Sequence, residues 1–212
     1  MTRPAQPLRR ERRPDQRPQE LLEAALDVFA RKGYRAARLD DVAEAAGVTK
    51  GAIYHYFDTK EELLLGVVEH FQDVAFGRVE DVLRDKTLPP SARIGLLVRR
   101  MFSNPDRTRG ELFLVLLRDV AHEMPRVHHR WLRTGPMRLW GLIASLVEEG
   151  KEAGEFRADA DSEVGARLLV SGLMLQLIWQ QHAPHLREIT IDEERVVNAA
   201  VELFLASLRS VG

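Results

Sequence analysis

The stretch VAEAAGVTKGAIYHYF, Val42 to Phe57, keeps apolar residues at helical spacing on both sides of a Gly-Val-Thr that one continuous helix would hardly contain. Leu39, Val42, Ala43 and Ala46 fall at i, i+3, i+4 and i+7, the stripe of a short amphipathic helix, and Ile53 and Phe57 repeat the pattern beyond the break. Gly47 stands where a helix end needs a left-handed backbone. Thr49 stands where the next helix needs a side-chain oxygen for its unpaired N–H groups. The stretch therefore predicts two helices joined by a tight turn. On the second, Lys50, Gly51, Tyr54 and His55 share the face opposite Ile53 and Phe57, a face with donors and no carboxylate.

Upstream, Pro18 can open a helix whose buried stripe is Leu22, Ala25, Leu26 and Phe29, ending at Gly33. Downstream, Thr59 lies three residues ahead of Glu62, a capping box that starts a new helix. Its apolar positions run from Leu64 through Val67, Val68, Phe71, Val74 and Ala75 toward Val82, predicting one long helix that Pro89 and Pro90 end. Further helices are predicted at about 91–102, 109–123, 125–153, 161–181 and 191–208, with Gly135-Pro136 kinking or splitting the helix it interrupts. No repeat is visible and strand-like alternation is almost absent. The fold class is all-α: a basic arm over 1–17, a three-helix module over 18–60, and a larger helical domain over 61–212.

A chain of 212 residues can bury a good core in one or two domains. The absence of cysteine excludes disulfides, thiolate metal sites and a cysteine nucleophile. The opening MTRPAQPLRRERRPDQRPQ has no apolar centre of the kind a secretory signal requires, and the longest apolar run, residues 112–117, is far short of the roughly 20 residues of a membrane span. A cytoplasmic protein without a membrane partner is expected. Residues 1–60 hold 12 Lys and Arg against 9 Asp and Glu, whereas the remainder holds 19 against 23. A basic arm ahead of a two-helix motif suits a polyanion partner, and a merely solubilising tail is the alternative.

In a helix-turn-helix the second helix enters the major groove of double-stranded DNA with its N-terminal residues nearest the bases. Thr49 and Lys50 occupy that end, Gly51 and Ala52 leave room for close backbone approach, and Tyr54, His55 and Tyr56 can reach phosphates or base edges, with core packing the other reading of Tyr56. Lys60, in the first turn of the next helix, is expected to add a phosphate contact.

These residues carry a resemblance. LDDVAEAAGVTKGAIYHYFDTKEELL, with ALDVFARKGY ahead of it, resembles the DNA-binding region of the TetR family of bacterial transcriptional repressors over about residues 18–65. The run from Ala46 to Leu63 is its most specific part. The resemblance implies an all-helical homodimer, a recognition helix at Thr49 to Tyr56 that binds operator DNA, and a variable C-terminal domain whose pocket takes a small effector that releases the DNA. Where the family usually has a threonine capping the second helix, this chain has Arg38, which cannot cap but can pair with a phosphate. Asp40 and Asp41 suit the positive end of that helix and shift base reading onto the third.

In the C-terminal half, Leu168, Leu169, Leu173, Leu175, Leu177 and Ile178 cover too wide an arc for one contact, and the last helix adds Val197, Val201, Phe204, Leu205 and Leu208. A four-helix interface between two copies is expected from these two helices, centred on Leu168, Leu175 and the last-helix stripe, with burial inside a monomeric bundle as the alternative. For an effector pocket the candidates are Phe71, Met101, Phe113, Leu117, Trp140 and Met174, with Arg118, His122 and Gln176 as polar anchors. The spacings of His122, His128 and His129, and of His182 and His185, match no metal motif, and no catalytic fingerprint, nucleotide loop or cofactor motif is present. The sequence thus favours an effector-responsive DNA-binding regulator without catalysis or cofactor. An architectural DNA-binding protein or a helical enzyme are the rivals.

Overall fold

The computed structural model describes residues 17–102, 120, 124–182 and 191–209, and the regular elements there are helices. In α1 (Arg17–Ala36) the apolar stripe buries Leu21, Leu22, Ala25, Leu26, Val28 and Phe29. Gly33, at φ 75, breaks the helix where the sequence places its end, a backbone conformation that side chains disfavour. The break turns Tyr34 back onto Phe29, with ring centroids 5.5 Å apart.

The two-helix reading of Val42 to Phe57 holds. Between α2 (Leu39–Ala45) and α3 (Lys50–Tyr56), Gly47 takes φ 65. Its N–H donates to the Glu44 carbonyl at 3.1 Å and that of Val48 to the Ala43 carbonyl at 2.9 Å, the paired bonds of a glycine-terminated helix. The Thr49 hydroxyl then accepts from the Ala52 N–H at 3.3 Å. Leu39, Val42, Ala43 and Ile53 are buried, and Phe57 packs half-buried on the same core.

In α4 (Lys60–Gly77) the Thr59 hydroxyl accepts from the Glu62 N–H at 3.1 Å, while the Glu62 carboxylate reaches the Asp58 N–H at 3.0 Å, one residue before the expected one. The helix stops at Gly77, short of the expected Val82, and α5 (Glu80–Arg84) follows as a separate turn. The break brings Val79 and Val82 into the interior. Arginines of α6 (Pro90–Phe102) accommodate the carbonyls around it: Arg100 donates to Arg78 at 3.1 Å, and Arg93 to Val82 at 3.3 Å and Leu83 at 2.6 Å. Arg93 is 3 % exposed, and its remaining edge meets Glu149 at 2.6 Å, a carboxylate that Lys86 also contacts at 2.9 Å.

Gly135-Pro136 splits its helix into α7 (Pro125–Thr134) and α8 (Pro136–Glu152). The Gln72 side-chain amide donates to the Trp131 carbonyl at 3.0 Å and lies 2.5 Å from where a Cβ on Gly135 would stand, so the junction admits no larger residue without displacing Gln72. The chain continues through α9 (Ser162–His182) and α10 (Glu193–Leu208). The predicted helix at 109–123 falls, apart from Val120, outside the described residues.

Two hydrophobic cores result. The first joins α1 to α4 with Val127 and Trp131 of α7, and the second joins Phe76 and Val79 with α6, α8, α9 and α10. Helix α4 contributes to both: Leu63, Leu64, Val67 and Val68 to the first, Phe76 to the second. Met174 of α9 packs against both.

Candidate nucleic-acid interface

Buried Ile53 fixes the rotation of α3 and leaves Lys50, Gly51, Tyr54, His55 and Tyr56 exposed. Tyr54 is 49 % and Tyr56 38 % exposed, so neither completes the core. A Cβ added to Gly51 would meet nothing, and Ala52 is half-buried beside it. The Thr49 hydroxyl uses a lone pair as the cap of α3 and keeps its hydrogen for an outside acceptor. Arg38 precedes α2, exposed; its N–H donates to the Asp41 carboxylate at 2.9 Å, which supplies half of a capping box without a threonine. Asp41 also meets Lys32 of α1 at 2.9 Å, and these bonds hold its carboxyl below the usual range. Asp40 meets Lys50 at 2.6 Å.

Lys60 departs from expectation. Its ammonium donates to the carbonyls of Tyr34 at 2.7 Å, Ala37 at 2.9 Å and Arg35 at 3.2 Å, and lies 4.3 Å from the centre of the Tyr34 ring. Carbonyls at the end of α1 have no partner within their own helix, and a cation is favoured there. With all three donors so engaged, Lys60 braces α4 against the α1–α2 turn. Burial holds its pKa below that of a free lysine, and burial together with Glu61 pushes the Tyr34 hydroxyl up to about 12.

Of the effector candidates, Phe71 and Met174 pack on the first core, and Met101, Trp140 and Met174 on the second, all half-buried. Gln176 is half-buried on α9. Phe113, Leu117, Arg118 and His122 lie outside the described residues, as does the arm up to residue 16. Gln72 and Gln180 were missed. Among the described residues, Gln72 Oε1, Gln180 Nε2 and Trp140 Nε1 are buried without a hydrogen-bond partner. The signal was a glutamine at an apolar stripe position, four residues after Val68 in α4.

The expected interface residues divide. Val197, Val201, Phe204 and Leu208 are buried in the protomer's own second core and Leu205 packs half-buried against it, because α10 turns this stripe onto α6 and α9. Leu168 and Leu175 are exposed, together with Val164, Trp179 and, on α10, Leu203. The residues 164, 168, 172, 175 and 179 form one stripe on α9, and a Cβ on Gly172 within it would meet nothing. No helix among the described residues is long and apolar enough to cross a membrane, and none of their histidines and carboxylates form a group suited to a metal ion.

A capped two-helix motif with an exposed, donor-rich second helix, fastened by α4 to a separate helical core, is the build of a helix-turn-helix DNA-binding regulator. The family model for bacterial regulatory proteins of the tetR family matches residues 21–67, and that for the C-terminal domain of AefR-like transcriptional repressors matches residues 95–208. The chain belongs to the TetR family, whose members are transcriptional regulators and not enzymes. It is 30% identical over 164 residues to the HTH-type transcriptional repressor KstR2 of Mycobacterium tuberculosis, covering 76% of this chain and 79% of that one. It is 32% identical over 149 residues to the transcriptional regulator AcuR of Cereibacter sphaeroides, covering 68% and 67%. The fold matches that of the regulator FadR of Bacillus subtilis, solved with stearoyl-CoA, at a TM-score of 0.74 and 21% identity, covering 90% of this chain and 99% of that one.

Proposed function

We propose that this regulator is a cytoplasmic homodimer that represses transcription from a specific operator and releases it when a small, largely apolar effector enters the C-terminal domain. The carrying observation is that α4 belongs to both cores. Leu63 to Val68 pack in the core of the DNA-binding helices, while Gln72 bonds the Trp131 carbonyl and Phe76 lies in the second core, so a ligand that displaces the second half of α4 displaces α3. The apolar stripe of α9 with Leu203 supports pairing of two copies, since contiguous exposed apolar surface marks an interaction site. Two copies place two α3 helices, and these must lie about 34 Å apart or a multiple of it to enter successive major grooves. In this reading Lys50, Tyr54 and His55 read bases or nearby phosphates, and Thr49, Tyr56 and Arg38 contact the backbone.

The half-buried Phe71, Trp140 and Met174, with the unpaired Gln72, Trp140 and Gln180 polar atoms, favour an apolar ligand with a few polar groups. Because FadR was solved with stearoyl-CoA, fatty acyl chains, free and as CoA thioesters, form the first panel. The test is a titration of the full-length protein on a duplex selected from random sequence, with each panel member added, alongside sedimentation. Expected are a dimer at binding concentrations, and a ligand that weakens DNA binding while DNA weakens the ligand by the same factor. Equal affinity for all duplexes and indifference to every ligand would instead describe an architectural protein.

A further inference from the structure

We propose that Asp40 is a specificity-determining residue of the recognition surface: its carboxylate holds the Lys50 ammonium toward the base edges and away from the phosphates, so that DNA lacking a suitable base opposite Lys50 is bound less well. The proposal rests on α3 lying in the major groove, as proposed above.

Asp40, the second residue of α2, accepts a hydrogen bond from Lys50, the first residue of α3, at 2.6 Å across the turn. The Lys50 side chain is 73 % exposed and that of Asp40 39 %. An ion pair so exposed adds little to stability, and fixing a lysine side chain costs rotamer entropy. Fold maintenance therefore does not explain it. The adjacent Asp41 has the structural task, facing Lys32 and the Arg38 N–H. Asp40 faces the recognition helix, next to the site of a polyanion, where a carboxylate is repelled unless it has a use.

A lysine on a flexible stem is a point charge that settles on any phosphate within reach, and such contacts bind all sequences alike. Tethered to Asp40, Lys50 keeps two N–H donors in a place set from α2. Two donors held together match the O6 and N7 acceptors that guanine presents in the major groove. The other oxygen of Asp40 can accept from a cytosine N4 amino group, and no phosphate oxygen offers it a proton. The hydrogen bond and charge of Asp40 also raise the Lys50 pKa above that of a free lysine. The acid thus disfavours phosphate contact by Lys50 and favours a G·C pair beneath it.

The test compares wild type, Asp40→Asn, Asp40→Glu, Glu44→Gln and Lys50→Ala on two duplexes over a range of salt: one selected from random sequence by the wild-type protein, and a scrambled one of the same composition. Glu44 is an exposed acid one turn along the same helix and controls for charge alone. Asp40→Asn is expected to bind scrambled DNA about tenfold more tightly, to steepen its log-log salt slope by about 0.9 as Lys50 gains a phosphate, and to narrow the ratio between the duplexes. Reselection with Asp40→Asn should relax the preference at one base pair, and Asp40→Glu should keep most of the ratio. The proposal is overturned if Asp40→Asn leaves ratio and preferred base unchanged, or if Glu44→Gln narrows the ratio as much. If Lys50→Ala binds both duplexes like wild type, the placement of α3 fails first and the role of Asp40 with it.

Discussion

Helices α3 and α9 both bury one apolar face against their own core, yet the faces they leave in solvent have opposite chemistry. On α3 the outer face carries Lys50, Tyr54 and His55; on α9 it carries Val164, Leu168, Leu175 and Trp179. Donor groups lose little by waiting in water for a polyanion. An apolar stripe is costly in water at all times, at about 25 cal/mol per Å², and is kept where a protein surface covers it. The outer face of each helix thus suits the partner proposed for it: nucleic acid for the first, a second copy for the other.

The strongest test of that contrast sets a buried cation against an exposed one. Arg93→Ala removes a guanidinium that satisfies two carbonyls and Glu149, and is expected to cost about 3–5 kcal/mol in denaturant unfolding. Lys50→Ala should leave the unfolding midpoint where it is and weaken operator binding in a titration on the same sample. A melt lowered as far by Lys50→Ala would show that the recognition face is part of the core.

Next in size is a pair of leucines on one helix. Leu173 is 2 % exposed and Leu168 70 %. Leu173→Ala should destabilise the protein by about 2–5 kcal/mol, whereas Leu168→Glu should preserve helical content by circular dichroism and shift sedimentation toward monomer. Intact dimers in Leu168→Glu would move the interface off this stripe.

Lys60 tests whether a lysine beside the recognition helix is brace or contact. Lys60→Met leaves the carbonyls of Tyr34, Arg35 and Ala37 without their charged donor, and a loss of about 1.5–3 kcal/mol is expected from thermal melts. Weakened DNA binding with an unchanged melt would restore the phosphate role. Thr49→Ala removes the α3 cap, at about 0.5–2 kcal/mol by the same measurement.

The smallest effect is a dependence on pH. Lys86 first, then Arg93, holds the Glu149 carboxyl below the ordinary glutamate value. Its contribution to stability is complete above that value and is lost as pH falls through the lower folded value. Glu149→Gln should therefore flatten the acid limb of the stability curve below about pH 4.5 while leaving its neutral part similar in shape. An unchanged acid limb would place the acid sensitivity elsewhere.

The helix-turn-helix was legible because its signals are local. A glycine four residues after Ala43, a threonine two residues later and apolar residues at helical spacing determine caps, turn and buried face within sixteen residues. The break in α4 was not legible, since Gly77-Arg78 is no stronger a stop signal than others within helices. At the break Arg100 of α6 donates to the Arg78 carbonyl, and Arg93 of α6 donates to those of Val82 and Leu83 at the end of α5, partners far away in the chain. The bracing contacts of Lys60 were not legible because its carbonyl partners lie 23 to 26 residues away.

The sequence alone determined that the chain is helical, that residues 42–57 form two capped helices, and that the outer face of the second carries donors and no carboxylate. These follow from the 3.6-residue repeat and from backbone groups that must be paired within a few residues. Only the tertiary structure decided which apolar stripe is interior. The patterns of α9 and α10 are both hydrophobic enough to be core or interface, and packing against α6 and α8 buries Val197, Val201 and Leu173 while leaving Leu168, Trp179 and Leu203 outside. Periodicity states that a face is apolar; which neighbour covers it depends on contacts far apart in the chain.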